Sequence, residues 1–224
     1  MAARRQTHQV VRDAVVFLSA PSFRFRALRA LRRVLRVDRE RRWNAEYASG
    51  TWRRLGTLDE LAHQAMLASY FARLKPGGSV LDVGCGEGLF QQELRGCYSR
   101  YVGIDFAEPV RLARARCDAV SDAVSATRTA FVAVDMHDFA THERFDAVVF
   151  NESLYYYDDA IRGLARYAEF LAPQGVLLVS MHTKDRTERL WDRIGDRYGI
   201  VDAVTVENCH GVQWIIKVLA PQTD

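Results

Sequence analysis

A glycine-rich turn directly after an apolar segment constrains the fold of this chain more than any other feature of its sequence. The segment VLDVGCGEGLF, residues 80–90, passes through Asp82 to three glycines at alternate positions, Gly84, Gly86 and Gly88. Glycine adopts left-handed backbone conformations easily and lets other groups approach the main chain closely. The segment therefore predicts a strand that ends in a turn, and this turn either reverses the chain tightly or receives a ligand.

Apolar segments alternate with helix-like segments along the rest of the chain. The strand-like segments are SVLDVG, YVGIDF, TAFVAVDM, FDAVVFN and GVLLVSMH. Because they lack polar alternation, they predict a mostly parallel sheet with helices on both faces. Two further segments, VDAVTVEN and VQWIIKVLA, flank a turn at His210 and Gly211 and predict an antiparallel C-terminal hairpin. The sequence therefore predicts an α/β fold.

The N-terminal residues 1–42 differ from the rest in charge. They carry twelve arginines against three acidic residues, whereas the net charge of the whole chain is only +3. After Pro21 the segment FRFRALRALRRVLRV places apolar residues at helical spacing between arginines. It predicts a basic helix that either packs on the protein or binds an anionic membrane surface or an acidic partner. Nucleic-acid binding is the least favoured alternative, because few aromatic residues lie between the arginines and no groove-reading motif is present. We expect a helical arm at 1–42 and a domain at 43–224.

The spacing of the cysteines and the lengths of the apolar runs indicate where in the cell the protein is expected. The four cysteines form no CxxC pair and have no histidine at metal-ligand spacing, so we expect neither a disulfide framework nor a metal site. No apolar run approaches the roughly 20 residues that a membrane-spanning helix needs. We expect a cytoplasmic protein that the basic arm can hold at the inner membrane surface. The sequence does not indicate an oligomeric state.

Two common ligands of a glycine turn do not suit this one. A phosphate-binding loop has Lys-Ser or Lys-Thr after its last glycine, whereas Leu89 follows Gly88 here. A dinucleotide site has the order GxGxxG, and the carboxylate of Asp82 would repel a pyrophosphate. A carboxylate beside the turn suits a cationic ligand with an amine. S-adenosylmethionine, which carries a sulfonium and an ammonium group but no phosphate, is such a ligand.

Two further acidic residues lie at the ends of the next two predicted strands. Asp105 ends YVGIDF, and Asp135 follows the third strand in FVAVDM. In open α/β sheets a ligand lies beyond the carboxyl ends of the strands. Asp105 is placed there to accept hydrogen bonds from two ribose hydroxyls, and Asp135 to accept one from an adenine amino group. Each carboxylate taken alone is equally well explained as an ordinary loop residue, but the set predicts a nucleoside ligand.

The motif series resembles that of class I S-adenosylmethionine-dependent methyltransferases over about residues 43–220. The motifs are VLDVGCGEGLF, YVGID, VDMHDF, FDAVVFNESLYYYDD and LAPQGVLLVS. The resemblance implies a seven-stranded Rossmann-like sheet and S-adenosylmethionine as the methyl donor. It also implies the donor-binding residues, which are Asp82, Gly84, Cys85 and Gly86 at the methionine part, Asp105 at the ribose, Phe106, Asp135 and Met136 at the adenine, and Asn151 at the reactive methyl group.

The N-terminal edge of the domain and the ends of the fourth and fifth strands supply further candidates. Residues 43–57 are expected to form a lid, in which Tyr47 and Trp52 either close the pocket or simply pack. Thr57, with Glu60 three residues later, predicts a capping box at the start of a helix. Candidate catalytic groups are Glu152, His182 and Tyr156. For His182 a role at the surface or in supporting another residue remains open, and for Tyr156 packing under the following helix remains open.

The methyl acceptor is the least constrained part of the prediction. The chain lacks the Glu-x-x-Glu-His arrangement of metal-dependent RNA-end methyltransferases and the Asn/Asp-Pro-Pro-Tyr/Phe motif of nucleic-acid amino-methyltransferases. NESLYY is similar instead to nodulation-type N-methyltransferases. We expect transfer to an oxygen or nitrogen of a saccharide or natural-product intermediate. The alternatives are an RNA or protein methyltransferase that uses the basic arm, and a non-catalytic cofactor-binding partner protein.

Overall fold

The computed structural model describes residues 37–94, 96–120 and 128–221. Most of the predicted basic arm, residues 1–36, lies outside the described residues, and the arm and domain boundary stays a prediction. Residues 37–48 are helical (α1). The compact unit that begins at Asn44 is described here by itself.

A seven-stranded sheet forms the centre of this unit. The strands are β1 (Ser79–Val83), β2 (Arg100–Asp105), β3 (Thr129–Ala133), β4 (Phe145–Asn151), β5 (Leu171–His182), β6 (Tyr198–Glu207) and β7 (Gln213–Pro221). Their order is β3-β2-β1-β4-β5-β7-β6. Strands β1 to β5 pair in parallel, and β7 pairs antiparallel with both β5 and β6. The predicted Rossmann-like sheet with a C-terminal hairpin is confirmed.

Among the described residues, one helix directly precedes β1, and four further helices connect successive strands. They are α2 (Leu58–Leu74), α3 (Leu89–Glu93), α4 (Ala107–Val120), α5 (Ala160–Ala168) and α6 (Asp185–Gly195). Short 3₁₀ turns occupy Arg53–Gly56 and Leu154–Tyr156. None of the helices in the described part of the chain is long and apolar enough to cross a membrane.

Each face of the sheet buries its own apolar cluster. Val80 packs with Phe71 of α2 on one face, whereas its neighbour Leu81 packs with Leu164 of α5 on the other. Successive side chains of a strand point to opposite faces, so a strand that is apolar throughout must be covered on both sides. The absence of polar alternation along β1 therefore reflects helices on both faces.

The start of α2 differs from the predicted capping box. Thr57 makes no side-chain cap, and its hydroxyl instead donates to the carbonyl of Arg54 at 2.7 Å. Glu60 does not reach back to Thr57 but accepts a hydrogen bond from the Arg54 guanidinium at 2.8 Å. The prediction was wrong because the preceding 3₁₀ turn brings Arg54 to the carboxylate.

Candidate active site

The three glycines of the turn all have left-handed backbone conformations. The φ angles are 79° at Gly84, 53° at Gly86 and 79° at Gly88, a region that other residues rarely adopt. The main-chain N–H of Gly84 donates to the carbonyl of Ile104 in β2 at 2.9 Å. The turn is therefore held at the carboxyl ends of β1 and β2, as the sequence predicted.

The space beside the turn also requires glycine. A Cβ at Gly84 would lie 2.6 Å from the Cβ of Ser153, and a Cβ at Gly86 would lie 2.8 Å from the hydroxyl of Tyr47. Contacts this short do not occur between real side chains, so residues from two other segments approach the turn closely. The terminal methyl group of Met136 also lies 3.8 Å from the Cβ position of Gly84.

Asp82 lies at the end of β1 with almost no exposed surface. Only 1% of the residue is accessible, and the Tyr101 hydroxyl donates to its Oδ2 at 2.5 Å. Its Oδ1 is buried with no hydrogen-bond partner among the described residues. Burial raises the pKa of Asp82 to about 7, and the Tyr101 hydrogen bond opposes this rise. An orphaned buried oxygen fits a ligand that supplies an N–H donor, such as the ammonium group of S-adenosylmethionine.

Asp105 is held in a fixed orientation at the end of β2. Its Oδ2 accepts from the main chain of Gly86 at 2.8 Å, and its Oδ1 accepts from Phe106 at 2.7 Å. Burial raises its pKa to about 6, and the two amide donors oppose the rise. Each carboxylate oxygen retains capacity for a second hydrogen bond. The geometry suits a ligand that presents two hydroxyl groups, as expected for ribose.

Cys85 contributes to the turn through its main chain. Its side chain is buried, and the sulfur lies 3.0 Å from the Cβ position of Gly103 in β2. Burial raises the pKa of this thiol well above its usual range, so it remains protonated. Phe106, at the start of α4, is half-buried beside Asp105.

Asp135 follows β3 and has a local partner that the sequence did not indicate. Its Oδ1 accepts from the main chain of His137 at 2.8 Å and lies 2.7 Å from the imidazole Nδ1. The His137 ring packs on Tyr157 with 4.1 Å between ring centroids. The carbonyl of Met136 accepts from the Tyr167 hydroxyl at 2.7 Å. The segment after β3 is thus fixed on both sides of Met136.

The predicted lid residues lie over the glycine turn. Burial raises the pKa of Tyr47 well above its usual range, and the nearby Asp105 carboxylate adds to the rise. The Trp52 ring lies 6.2 Å from that of Tyr47, and its indole N–H donates to Glu46 at 3.1 Å. Tyr47 and Trp52 line a cavity with Glu87 of the glycine turn. The structure therefore places both aromatic residues where a lid is expected.

Glu152 occupies an unusual position just beyond β4. Its φ of 57° lies in the left-handed region, and its main-chain N–H donates to the carbonyl of Ser180 at 3.0 Å. The Tyr155 hydroxyl donates to Oε2 at 2.9 Å, while Oε1 is buried without a partner in the described structure. Burial raises the pKa of Glu152 to about 8, and the Tyr155 hydrogen bond opposes the rise. This carboxyl group therefore exchanges its proton near neutral pH.

The other two catalytic candidates differ in exposure. His182 ends β5, and its ring meets Trp214 edge-on at 5.8 Å. Burial lowers the pKa of His182, so its imidazole is neutral at pH 7. Tyr156 is 37% exposed and lies against the ring of Tyr155 at 4.6 Å. The structure brings Glu152 and His182 to neighbouring strand ends, whereas Tyr156 lies at the surface.

Helix α2 adds two buried polar residues that the sequence did not assign to the site. His63 is 2% exposed and stacks on Trp214 at 4.6 Å between ring centroids. Burial lowers its pKa to about 4, and the neighbouring Asn151 carboxamide opposes this. Glu60, also buried, lies one helical turn before His63. The available signal was that both residues occupy the face of α2 that buries Leu67, where apolar residues are expected.

Comparison with curated proteins finds partial similarity to ubiquinone biosynthesis O-methyltransferases. The enzyme of Xanthomonas campestris pv. campestris is 32% identical over 115 residues, which make up 50% of this chain and 45% of that protein. The enzyme of Actinobacillus pleuropneumoniae serotype 5b is 29% identical over 106 residues, or 46% and 45% of the two chains. The present chain thus spans less than half the length of these relatives.

Solved methyltransferases share the fold over most of the chain. The N-methyltransferase NodS of Bradyrhizobium japonicum WM9, bound to S-adenosyl-L-homocysteine, aligns with a TM-score of 0.68 and 21% identity, covering 82% of this chain and 98% of that one. The 1,6-didemethyltoxoflavin-N1-methyltransferase of Burkholderia thailandensis aligns with a TM-score of 0.66 and 22% identity, covering 88% and 90%.

A family profile identifies the chain itself. The profile described as a methyltransferase domain matches residues 57–199. This range exceeds half of the chain and contains the glycine turn and strands β1 to β5. It confirms what the motif series indicated. The chain therefore belongs to the methyltransferase domain family, within the class I S-adenosylmethionine-dependent methyltransferases.

Proposed function

We propose that this methyltransferase acts on an oxygen or nitrogen atom of a small molecule, either a saccharide or a natural-product intermediate. The observation that supports the proposal most is the pair of buried, unpartnered carboxyl oxygens at one edge of the sheet, on Asp82 and Glu152. The first suits the cationic donor and the second suits the acceptor. S-adenosylmethionine supplies an electrophilic methyl group when it is bound.

On the donor side, residues at different strand ends are proposed to contact different parts of S-adenosylmethionine. Asp82 accepts from the ammonium group, and Asp105 accepts from the ribose hydroxyls while two main-chain amides hold it in place. The left-handed glycines let the ligand approach the main chain. The adenine lies beyond β3, where Asp135, Met136 and Phe106 surround it.

On the acceptor side, the chain has to align the nucleophile and remove a proton. Alignment supplies most of the rate enhancement in such a displacement, and a base with a pKa near the working pH assists it. Glu152 has such a pKa, about 8. His182 stays neutral and can accept a hydrogen bond or a proton, Asn151 faces the methyl group, and Tyr156 forms part of the outer wall.

Access to the site is controlled by residues 43–57. Tyr47 covers Gly86, and Asn44 accepts a hydrogen bond from the main chain of Glu108 at 2.8 Å, which ties this segment to the start of α4. Opening of the segment admits the donor, and closure over Tyr47 and Trp52 excludes water from it. Exclusion of water strengthens the electrostatic contacts inside the site.

The relatives of this chain support a small acceptor. The Burkholderia thailandensis structure contains 1,6-didemethyltoxoflavin together with S-adenosylhomocysteine. The curated relatives carry the name of a ubiquinone biosynthesis enzyme. These are properties of those proteins, and they guide the choice of acceptors to test here.

A screen for release of S-adenosylhomocysteine tests the proposal. The full-length protein is incubated with S-adenosylmethionine and with sets of amino sugars, phenols, aromatic amines and a total RNA sample. Release that depends on a small molecule, and that falls at least tenfold in Glu152→Gln, is expected if a hydrogen bond to a charged group is lost. Release with RNA alone would favour the polymer alternative, and donor binding without any turnover would favour a non-catalytic partner.

A further inference from the structure

We infer that Glu60, His63, Asn151, Glu152 and His182 form a subsite for an amino group, so that the methyl acceptor is an amine rather than an alcohol or phenol. We call these five residues the polar cluster. The inference rests on the proposed function and narrows its acceptor to one chemical class.

The polar cluster is assembled from three elements that meet at one end of the sheet. Asn151 pairs with Ser180 at the ends of β4 and β5, and His182 pairs with Trp214 of β7. Helix α2 brings His63 onto the same Trp214 ring. Within α2, the Glu60 carboxylate lies 3.9 Å from the His63 imidazole. Residues distant in sequence therefore converge in a region with little solvent access.

Four atoms of the polar cluster are buried without any hydrogen-bond partner among the described residues. They are Nδ1 of His63, Oδ1 of Asn151, Oε1 of Glu152 and Nδ1 of His182. A buried polar atom left unsatisfied costs about 1–3 kcal/mol, and native structures contain few of them. The His63 and Asn151 side chains lie close enough to interact with each other, so Oε1 of Glu152 and Nδ1 of His182 are the two atoms for which a ligand has to supply the partner.

The chemistry of these four atoms calls for hydrogen-bond donors. The Asn151 carboxamide oxygen only accepts, the Glu152 oxygen accepts when its carboxyl group is ionised, and a histidine Nδ1 accepts in the tautomer that carries the proton on Nε2. Burial keeps both His63 and His182 neutral at pH 7 by lowering their pKa values. An ammonium group offers three N–H donors and a primary amine offers two, whereas a hydroxyl offers one. An amino group can therefore donate to Glu152 and His182 at the same time, which a single hydroxyl group cannot do.

The charges around Glu152 are compatible with this ligand. Glu60 faces it from α2 and disfavours its ionised form, while Lys184 favours that form. The cation nearest to Glu60 is already engaged, since Arg54 pairs with its carboxylate at 2.8 Å. A protonated amine between the two carboxyl groups would relieve their repulsion.

The backbone at Glu152 supports a ligand-binding role. A non-glycine residue at positive φ stores about 1–3 kcal/mol of strain, and such residues cluster at functional sites. Here the left-handed turn places the carboxyl group under the Tyr155 hydroxyl instead of letting it reach solvent. The strained backbone of Glu152 therefore serves to hold its carboxyl group in a buried position.

The proposed transfer consists of a proton transfer followed by displacement at the methyl carbon. The bound amine first gives one proton to the Glu152 carboxylate and becomes the neutral nucleophile. Its nitrogen lone pair forms the bond to the methyl carbon while the carbon–sulfur bond breaks, and that electron pair stays on sulfur. The product is a methylated ammonium and a neutral thioether, and Glu152 returns its proton to solvent.

Binding of paired probes to the full-length protein saturated with S-adenosylhomocysteine tests the inference. Benzylamine and benzyl alcohol have the same shape and differ in the polar group. We expect calorimetry at pH 7.5 to show benzylamine binding at least about tenfold more tightly, the equivalent of one hydrogen bond to a charged group. In Glu152→Gln the preference should fall to less than about threefold.

A matched control separates this effect from general charge loss. Glu169 is an exposed glutamate at the end of α5, and Glu169→Gln should keep the full preference for the amine. Equal binding of the two probes, no binding of the amine, or a preference that survives Glu152→Gln would each overturn the inference. S-adenosylhomocysteine affinity is measured in the same samples. If it is normal and hydroxyl acceptors are methylated, the proposed function stands and the amine subsite does not.

Discussion

Two residues of this protein adopt the same rare backbone conformation in different surroundings. Glu152, at φ 57°, has a buried carboxyl group bonded to Tyr155, whereas Gln174, at φ 63°, is exposed. A left-handed conformation costs roughly 1–2 kcal/mol for a residue with a Cβ, and asparagine tolerates it better than most. At the residue scale, the two residues differ in their side chains: the Glu152 carboxyl group is buried and hydrogen-bonded, whereas the Gln174 side chain is exposed.

Exchange of these residues for asparagine separates strain from function. We expect Glu152→Asn to leave the free energy of unfolding unchanged or raise it by up to about 1 kcal/mol, since the strain is relieved. Methyl transfer should nevertheless fall at least about tenfold because the titrating carboxyl group is gone. Urea denaturation and S-adenosylhomocysteine release measure the two quantities.

Gln174→Asn provides the matched control for this prediction. It should bring the same gain in stability with no loss of activity, since its side chain is exposed. A Glu152→Asn enzyme with normal turnover would show that the carboxyl group has no part in the reaction.

At the scale of elements, the connection between β1 and α3 depends on neighbours from distant segments. Ser153, which limits the space at Gly84, is itself buried and donates its hydroxyl proton to the carbonyl of Val83. Gly77, in contrast, has a φ of 71° but no atom within 4 Å of its Cβ position. The two glycines share a backbone requirement and differ in the space around them.

A pair of alanine substitutions measures this difference. Gly77→Ala should lower the free energy of unfolding by only about 1 kcal/mol, the cost of the left-handed conformation. Gly84→Ala should cost a further 1–3 kcal/mol or so, because Ser153 and the turn must move apart. It should also weaken donor binding. If urea denaturation shows the same loss of unfolding free energy in both variants, the contact with Ser153 does not contribute to stability.

The elements could be predicted from the sequence to different extents. The strands and the glycine turn were predictable because apolar runs and glycine spacing are local properties of the chain. The pairing of Asp135 with His137 was not, since acid and histidine two residues apart in a loop carry no periodic signal. The burial of His63 and Glu60 beside the site was not predicted, for a different reason. Their burial depends on β7 lying beneath α2, which the α2 sequence does not encode.

At the scale of the whole molecule, buried acids make stability and donor binding respond oppositely to pH. Burial raises the pKa values of Asp105, Asp82 and Glu152 to about 6, 7 and 8. Their unfolded values lie near 4. The folded state therefore holds more protons than the unfolded state between about pH 4 and 8. Stability from these groups is present below pH 4 and is lost as pH rises through the folded values.

Two measurements check this prediction. The free energy of unfolding without ligand should contain a component that decreases from pH 5 to pH 8, and Glu152→Gln should reduce that decrease. S-adenosylmethionine affinity should increase over the same range, because the cationic ligand requires the ionised carboxylate of Asp82. Affinity that is constant from pH 5 to 8 would contradict the assignment of Asp82.

The uneven distribution of charge leads to a prediction about location. Twelve arginines in residues 1–42 should hold the full-length protein on phosphatidylglycerol vesicles at low salt. Raising the ionic strength should release it, since the attraction is screened within about 10 Å at 0.1 M salt. Phosphatidylcholine vesicles serve as the neutral control. Failure to sediment with the anionic vesicles would rule out membrane attachment through this arm.

The position of β7 between β5 and β6 has a consequence for the order in which the enzyme becomes competent during synthesis. The proposed donor-binding residues Asp82, Gly86 and Asp105 lie in β1, in the turn after it and in β2, which leave the ribosome early. Trp214, on which His63 and His182 rest, is made long after them. If the proposed site is correct, we expect a nascent chain to bind the methyl donor before the polar cluster exists. Turnover is then expected only after β7 has completed the sheet.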